Sequence, residues 1–393
     1  MNLQQIRNET PGCKERVHFN NAGASLMPTP VVDAIQKHIA LEAQMGGYEA
    51  AEKMSDEVAG FYSAAARLLN CKASQIAYTS SATSAFDRAL TSIPFQKGDK
   101  ILLANEDYVS NQLAFLSLQR RFGVELVRAR SLAEGGVDVN DMVRLMKAHR
   151  PKLVTLTHVP TNSGLVQPVA AVGKHCKELG LTYLVDACQS VGQMPVNVQE
   201  LHCDFLSGTF RKFLRGPRGS GFLYVSDKVI EKGWEPLFVD MRGADWKSSD
   251  HYDLHPSARR FEEWEAPYAL LLGAKASIEY AMKLGLGNIE KANQQISTSV
   301  RQSLAGLGLE LLDKGATLSS IITVRIPGKD AHETLHFLRN RRVNTSVSAR
   351  SSAVIDFDTK GVDWALRVSP HYFNTSEEID ILAEVLKEWM KRP

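Results

Sequence analysis

A lysine among arginines marks the stretch DFLSGTFRKFLRGPRGSGFLYV, residues 204–225, where Lys212 lies between two strand-like runs and just ahead of a turn rich in Gly and Pro. Arg211, Arg215 and Arg218 would lower its ammonium pKa by like-charge repulsion and would also attract an anion. A lysine prepared in this way is suited to a Schiff base with a carbonyl compound. Read alone, RKFLRGPRG fits a basic surface loop better. Upstream, Asp186 closes the apolar run TYLVD, and Gln189 follows at the third position. Ligands collect at the carboxyl ends of strands in open α/β sheets. An Asp there can keep a pyridine nitrogen protonated, which is what lets pyridoxal 5'-phosphate withdraw electrons from a carbanion; it can equally cap a helix. A third element is TSSATSAF at 79–86, small hydroxyl residues leading from IAY into a helical pattern. Free N–H groups at a helix start, with the Ser81, Thr83 and Ser84 hydroxyls, suit a phosphate, and ordinary capping is the rival account.

The elements that must position these residues follow from apolar periodicity. After a polar arm ending near Arg16, residues 30–44 and 48–69 carry apolar side chains at helical spacing. Short apolar runs then alternate with helical segments: ILLA at 101–104, VELV at 124–127, LVTLT at 153–157, TYLVD at 182–186 and FLYV at 222–225. This alternation predicts βαβ units around a mostly parallel sheet with helices on both faces. From Phe261 the sequence is helical to about Leu304. A compact α+β unit follows, with SIITVRI at 320–326, a helix near 330–341, WALRVS at 364–369 and a last helix from Ser376. The expected organisation is an N-terminal arm over 1–30 belonging to the small domain or an interface, a large domain over 31–285 and a small C-terminal domain over 286–393.

Lys plus Arg number 46 against 44 Asp plus Glu, so charge gives no reason to expect nucleic acid as a partner. No apolar run approaches a membrane span, and MNLQQIRNETPGCKER lacks the apolar core of a signal peptide. The five cysteines, Cys13, Cys71, Cys176, Cys188 and Cys203, show neither CxxC nor zinc-ligand spacing, so no metal site is expected and free thiols in the cytoplasm are the simplest account. Neither G-x-G-x-x-G after the first strand nor a Walker-type GK[ST] is present, which argues against a nucleotide-binding protein.

The order of phosphate-binding turn, aromatic segment, Asp-x-x-Gln and Lys resembles the class V aminotransferase family of fold-type I pyridoxal-phosphate enzymes. That group includes cysteine desulfurases, selenocysteine lyases, kynureninases and isopenicillin N epimerase. The resemblance runs from VHFNNAGASLMP at 17–28 to LRVSPHYFNTSEEID at 366–380, and it is carried most specifically by THVPTNSGLVQP, YLVDACQSVGQ and GTFRKFLRGPRGSGFLYV. It implies that Lys212 carries the cofactor, that Asp186 pairs with the ring nitrogen and that Gln189 and Asn162 lie near the phenolic oxygen. Tyr108 in NEDYVSNQ takes the place of the ring that stacks on the cofactor, with a core tyrosine as the lesser alternative. Ser81, Ala82, Thr83, Thr209 and Arg211 fall where relatives hold the phosphate. Arg367 matches the arginine that binds the substrate α-carboxylate, which a planar fork engages bidentately, and Asn21 falls among the substrate-binding positions.

Two departures bear on the reaction. Where desulfurases continue from RFE into Gly-Thr, whose threonine reaches the neighbouring subunit's phosphate, this chain reads RRFEEWEAP at 259–267, and Trp264 is the candidate replacement. The match of this region to one donated across an interface implies a homodimer. The segment 343–363 holds no cysteine, and none follows Cys203 anywhere, so the sulfur-accepting nucleophile of persulfide-forming desulfurases is missing. The expectation is an enzyme acting on an amino acid, favoured as a β-eliminating C–S or C–Se lyase without an enzyme persulfide. Epimerisation and transamination are the alternatives within the family, and a non-catalytic pyridoxal-phosphate-binding regulatory protein is the alternative outside it.

Overall fold

The computed structural model describes residues 1–392. Seven strands form the main sheet: β1 (Ile76–Thr79), β2 (Lys100–Leu103), β3 (Glu125–Arg128), β4 (Leu153–Thr157), β5 (Tyr183–Asp186), β6 (Phe205–Thr209) and β7 (Gly221–Val225). Their spatial order is β1-β7-β6-β5-β4-β2-β3. Only β7 runs against its neighbours, because the short connection after β6 returns the chain directly beside it. Strands β1, β4, β5, β6 and β7 are buried along their whole length, as expected for a sheet covered on both faces. One layer of core gathers Phe61, Leu102, Val154, Val185 and Leu206, and the opposite layer gathers Phe86, Phe115, Leu103, Leu184 and Phe205. Successive residues of one strand thus face opposite layers.

A second, antiparallel sheet comprises β8 (Glu310–Leu311), β9 (Ile322–Arg325), β10 (Ser346–Ala349) and β11 (Trp364–Val368) in the order β8-β9-β11-β10. It packs with the helices Leu286–Gly306, Ala331–Asn340 and Ser376–Met390 around Val300, Leu338, Leu366, Ile379 and Leu386. Among the described residues no helix is long and apolar enough to cross a membrane.

Most of the predicted strands and helices appear with ends shifted by a residue or two, but the helical stretch expected from Phe261 begins at Tyr268 and breaks at Gly285 into Tyr268–Leu284 and Leu286–Gly306. The expected single helix over 48–69 is instead two, Gly47–Lys53 and Ser55–Leu69, broken at Met54. The N-terminal arm is tied down. Its helix Leu3–Asn8 buries Ile6, and Arg7 pairs with Glu378 at 2.9 Å. A hairpin of Ala244–Ser248 with His251–Leu254 was not foreseen.

Candidate active site

Every segment that the sequence singled out around the sheet emerges at the carboxyl end of a strand. Ser81, Ala82 and Thr83 follow β1, Tyr108 follows β2, Thr157 ends β4, Asp186 ends β5, and Thr209 ends β6 ahead of Arg211 and Lys212. Register puts Thr157 opposite Asp186 and Asp186 opposite Ser207. One pocket is lined by Ser81, Ala82, Thr83, Tyr108, Asp186, Gln189, Thr209, Arg211 and Lys212, joined by Thr157, Val159, Thr161 and Cys188.

The Lys212 side chain is buried, and its Nζ sits 5.9 Å from the centre of the Tyr108 ring. Burial lowers its pKa to about 8; Arg211 and Arg367 push the same way, against Cys188 and Asp186. The lysine loop is braced from the far end of the chain, where His371 Nε2 lies 2.9 Å from the Phe213 carbonyl. Of the three arginines expected to act on Lys212, only Arg211 does so. Arg218 is exposed. Arg215 turns away, with a left-handed φ of +58°, into a wholly buried position. There it donates to the Leu26 carbonyl at 2.8 Å, the Tyr372 hydroxyl at 3.0 Å and Thr10 Oγ1 at 2.6 Å, with its guanidinium 4.5 Å from the Phe373 ring centre. It is a clamp between the arm and the C-terminal region.

At the helix Ala82–Ser92, Ser81 Oγ accepts from the Ser84 amide at 3.0 Å. The Ala82 and Thr83 amides, in the first turn, have no acceptor within the helix, and both residues line the pocket. Strand β7 passes so close that a Cβ on Gly221 would lie 2.6 Å from the Ser81 carbonyl carbon and 2.7 Å from the Ala82 nitrogen. Any side chain at 221 would push the phosphate-suited turn out of place. Asp186 is fixed at both oxygens, Oδ1 by the Cys188 amide at 2.9 Å and Oδ2 by Asn111 Nδ2 at 3.0 Å.

Four residues that the resemblance assigns to the site, Asn162, Asn21, Trp264 and Arg367, lie outside the pocket lining. Asn162 donates to the Ser352 carbonyl at 3.1 Å, away from the pocket. Its predecessor Thr161 lines the pocket instead, and Thr161 Oγ1 accepts from Gln189 Nε2 at 2.8 Å and from Arg367 Nη1 at 2.7 Å. Asn21 is fully occupied, donating to the Ser369 carbonyl at 2.8 Å and accepting from Ser25 at 2.6 Å; its neighbour Asn20 faces Arg367 Nη2 at 3.4 Å. Trp264 is exposed, and only its backbone is held, by Asp240 at 2.6 Å.

Arg367 on β11 reaches the site through Thr161. Its guanidinium is buried, meets no carboxylate among the described residues and leaves Nε without a partner. Burial, with Arg211 adding to it, lowers its pKa to about 10. Gln189 Oε1 is likewise buried and unpartnered. Buried polar groups are rarely left unpaired, so these orphaned atoms belong with an anion and a donor that complete them. A lysine of lowered pKa, an anchored carboxylate, free helix-start amides and an unpaired buried arginine fit pyridoxal 5'-phosphate and a carboxylate-bearing substrate.

Comparison with known proteins shows the family of the chain. The family model described as aminotransferase class-V matches residues 17–382. A probable cysteine desulfurase of Methanothermobacter thermautotrophicus is 28% identical over 99% of this chain and 98% of its own length. A probable hercynylcysteine sulfoxide lyase of Mycobacterium tuberculosis is 27% identical, covering 94% of this chain and 89% of its own. Among solved structures, the apo cysteine desulfurase of Thermococcus onnurineus superposes with a TM-score of 0.90 at 25% identity, over 99% of this chain and 98% of that one.

Proposed function

The chain belongs to the class-V aminotransferase family, whose enzymes work with pyridoxal 5'-phosphate, and we propose that it acts on an amino acid as a β-eliminating C–S or C–Se lyase that forms no persulfide on itself. When bound, the cofactor supplies an electron-accepting ring that stabilises negative charge on the substrate α-carbon. Lys212 Nζ would hold the cofactor, and its amine would take the α-proton; a pKa of about 8 leaves a useful fraction of that amine neutral at physiological pH. Asp186 holds a proton on the ring nitrogen. Ser81, Ala82 and Thr83 would hold the phosphate with Thr209 and Arg211, Tyr108 would lie against the ring, and Gln189 with Thr161 would serve the phenolic oxygen in the place first given to Asn162. Arg367 takes the substrate carboxylate.

The observation that carries the choice of reaction is the state of the thiols. Among the described residues Cys188 is the one cysteine lining the pocket, and burial first, then the Asp186 charge, pushes its thiol well above the ordinary value. A thiol of that kind is a poor nucleophile. The segment 343–363, tied through the Ser352 carbonyl to Asn162, the residue after Thr161, offers none. Loss of a β-substituent as a free leaving group needs no enzyme thiol. The test is product analysis of the loaded enzyme with a panel of β-substituted amino acids. Free thiol or sulfide with pyruvate and ammonia supports the reading. Alanine with sulfur left on the protein, an inverted α-carbon, or an amino group passed to a keto acid would each replace it.

The same reading includes a homodimer in the cytoplasm. Leu237, Phe238, Met241 and Trp246 stand exposed in the region that also bears Trp264, an apolar surface that a second copy would cover. All five cysteines are unpaired, in keeping with a reducing compartment.

A further inference from the structure

Asp186 is backed by a second carboxylate that the reaction as described does not use. Asp107 precedes the helix Val109–Phe122, and its oxygens turn inward onto four donors. These are its neighbour's amide, Tyr108 N, at 2.7 Å, Asn111 Nδ2 at 3.0 Å, Gln112 Nε2 at 2.7 Å and the Thr157 hydroxyl. Three of the four can only donate, so the site is built for an acceptor, the ionised carboxylate. Asn111 is buried, and its single amide nitrogen also donates to Asp186 Oδ2 at 3.0 Å. Two carboxylates are therefore drawn together around one –NH2 group, each taking one of its hydrogens.

Such a pair repels itself unless a cation stands nearby. The charged groups facing Asp107 are few. Asp186 comes from β5. Arg128, from β3, is held one residue away, its Nη2 donating to Gln112 Oε1 at 2.6 Å. Glu106, next in the chain, faces Ser131 instead. Enclosure, with a further push from Asp186, raises the Asp107 carboxyl against the pull of its donors. On the pocket side of Asp186 the structure places Lys212; with that amine engaged by the cofactor, the neutralising group left to Asp186 is a protonated ring nitrogen.

We propose that Asp107 is a positioning residue for Asp186: through Asn111 it fixes the plane of that carboxylate and sets a second negative charge behind it, which together keep the proton on the cofactor ring. This rests on the reading that pyridoxal 5'-phosphate binds with its ring nitrogen at Asp186. The spacing Asp107-x-x-x-Asn111 across the start of one helix is what brings both groups to a single carboxylate from another strand.

The test is spectroscopic. Enzyme loaded with pyridoxal phosphate carrying nitrogen-15 in the ring is followed by NMR from about pH 6 to about pH 9. The wild type should keep the ring nitrogen protonated across the range. Asp107→Asn should bring the midpoint of proton loss down by about one unit or more, the scale of one nearby charge, and Asn111→Ala should move it the same way. An unchanged profile in Asp107→Asn and Asn111→Ala, with a changed one in Asp186→Asn, overturns the proposal while leaving the reading of Asp186 intact. An unchanged profile in Asp186→Asn as well overturns the reading itself. If Asp107→Asn does not fold, Asn111→Ala, which keeps the carboxylate and cuts the bridge, decides the matter by the same criterion.

Discussion

Replacing Lys212 by methionine removes a buried cation with little change in shape, and the cofactor-free protein should become more stable for it. The folded-state pKa is about 8 against an ordinary lysine value of 10.5, a depression caused first by burial. A lysine with a lowered pKa costs the fold stability. The cost is full below the folded value and fades as pH rises from there towards the unfolded value, because over that window the unfolded chain holds a proton the folded chain has lost. At about 1.4 kcal/mol per unit, the penalty is about 3 kcal/mol at neutral pH and about 1 kcal/mol near pH 9.5. Urea titrations of wild-type and Lys212→Met apoprotein at the two pH values read this directly. Methionine should win by more at neutral pH, the gap narrowing by about 2 kcal/mol on the alkaline side. A gap that does not change with pH, or a variant less stable at neutral pH, would refute the claim that Lys212 is held as a destabilised cation awaiting a carbonyl partner.

Asp186→Asn should keep cofactor yet lose more than about tenfold in turnover, equivalent to about 1.4 kcal/mol of barrier; a smaller loss would reduce Asp186 to a cap. Arg367→Lys should lower kcat/KM by about ten- to a hundredfold through loss of paired, charge-assisted hydrogen bonds, measured by steady-state kinetics, with cofactor binding unaffected. Each Cys→Ser variant should turn over within about threefold of wild type, about 0.7 kcal/mol; a folded but inactive one would restore a thiol mechanism. Sedimentation should give a dimer, and an active monomer would remove the role suggested for the 259–267 segment.

What the sequence made legible was whatever depends on local pattern. LVTLT at 153–157 and YLVD at 183–186 are strands because apolar runs of that length pack on both faces of a parallel sheet. The order of the chemical residues was legible for the same reason, since each follows a strand. Offsets of one residue were not. Thr161 rather than Asn162 lines the pocket, and Asn20 rather than Asn21 meets Arg367, because which of two adjacent loop residues turns towards a partner depends on residues far away in sequence, here Arg367. Arg215 looked like one more cation beside Lys212, but Thr10, Tyr372 and Phe373, all remote in the chain, draw it to the opposite side. The hairpin 244–254 was invisible because DWKS and HYDL are almost wholly exposed and carry no buried alternation to read. Asp107 escaped notice because its significance lies in meeting Asp186 across the sheet, through a helix residue that has no chemistry of its own.

The account turns on one amine, and borohydride reduction followed by peptide mass mapping tests it most directly. Reduction of the loaded enzyme should fix a pyridoxyl group on Lys212, in the peptide between Arg211 and Arg215, with Lys212→Met taking up none covalently. A pyridoxyl group on any other lysine, or labelling that survives Lys212→Met, would contradict it.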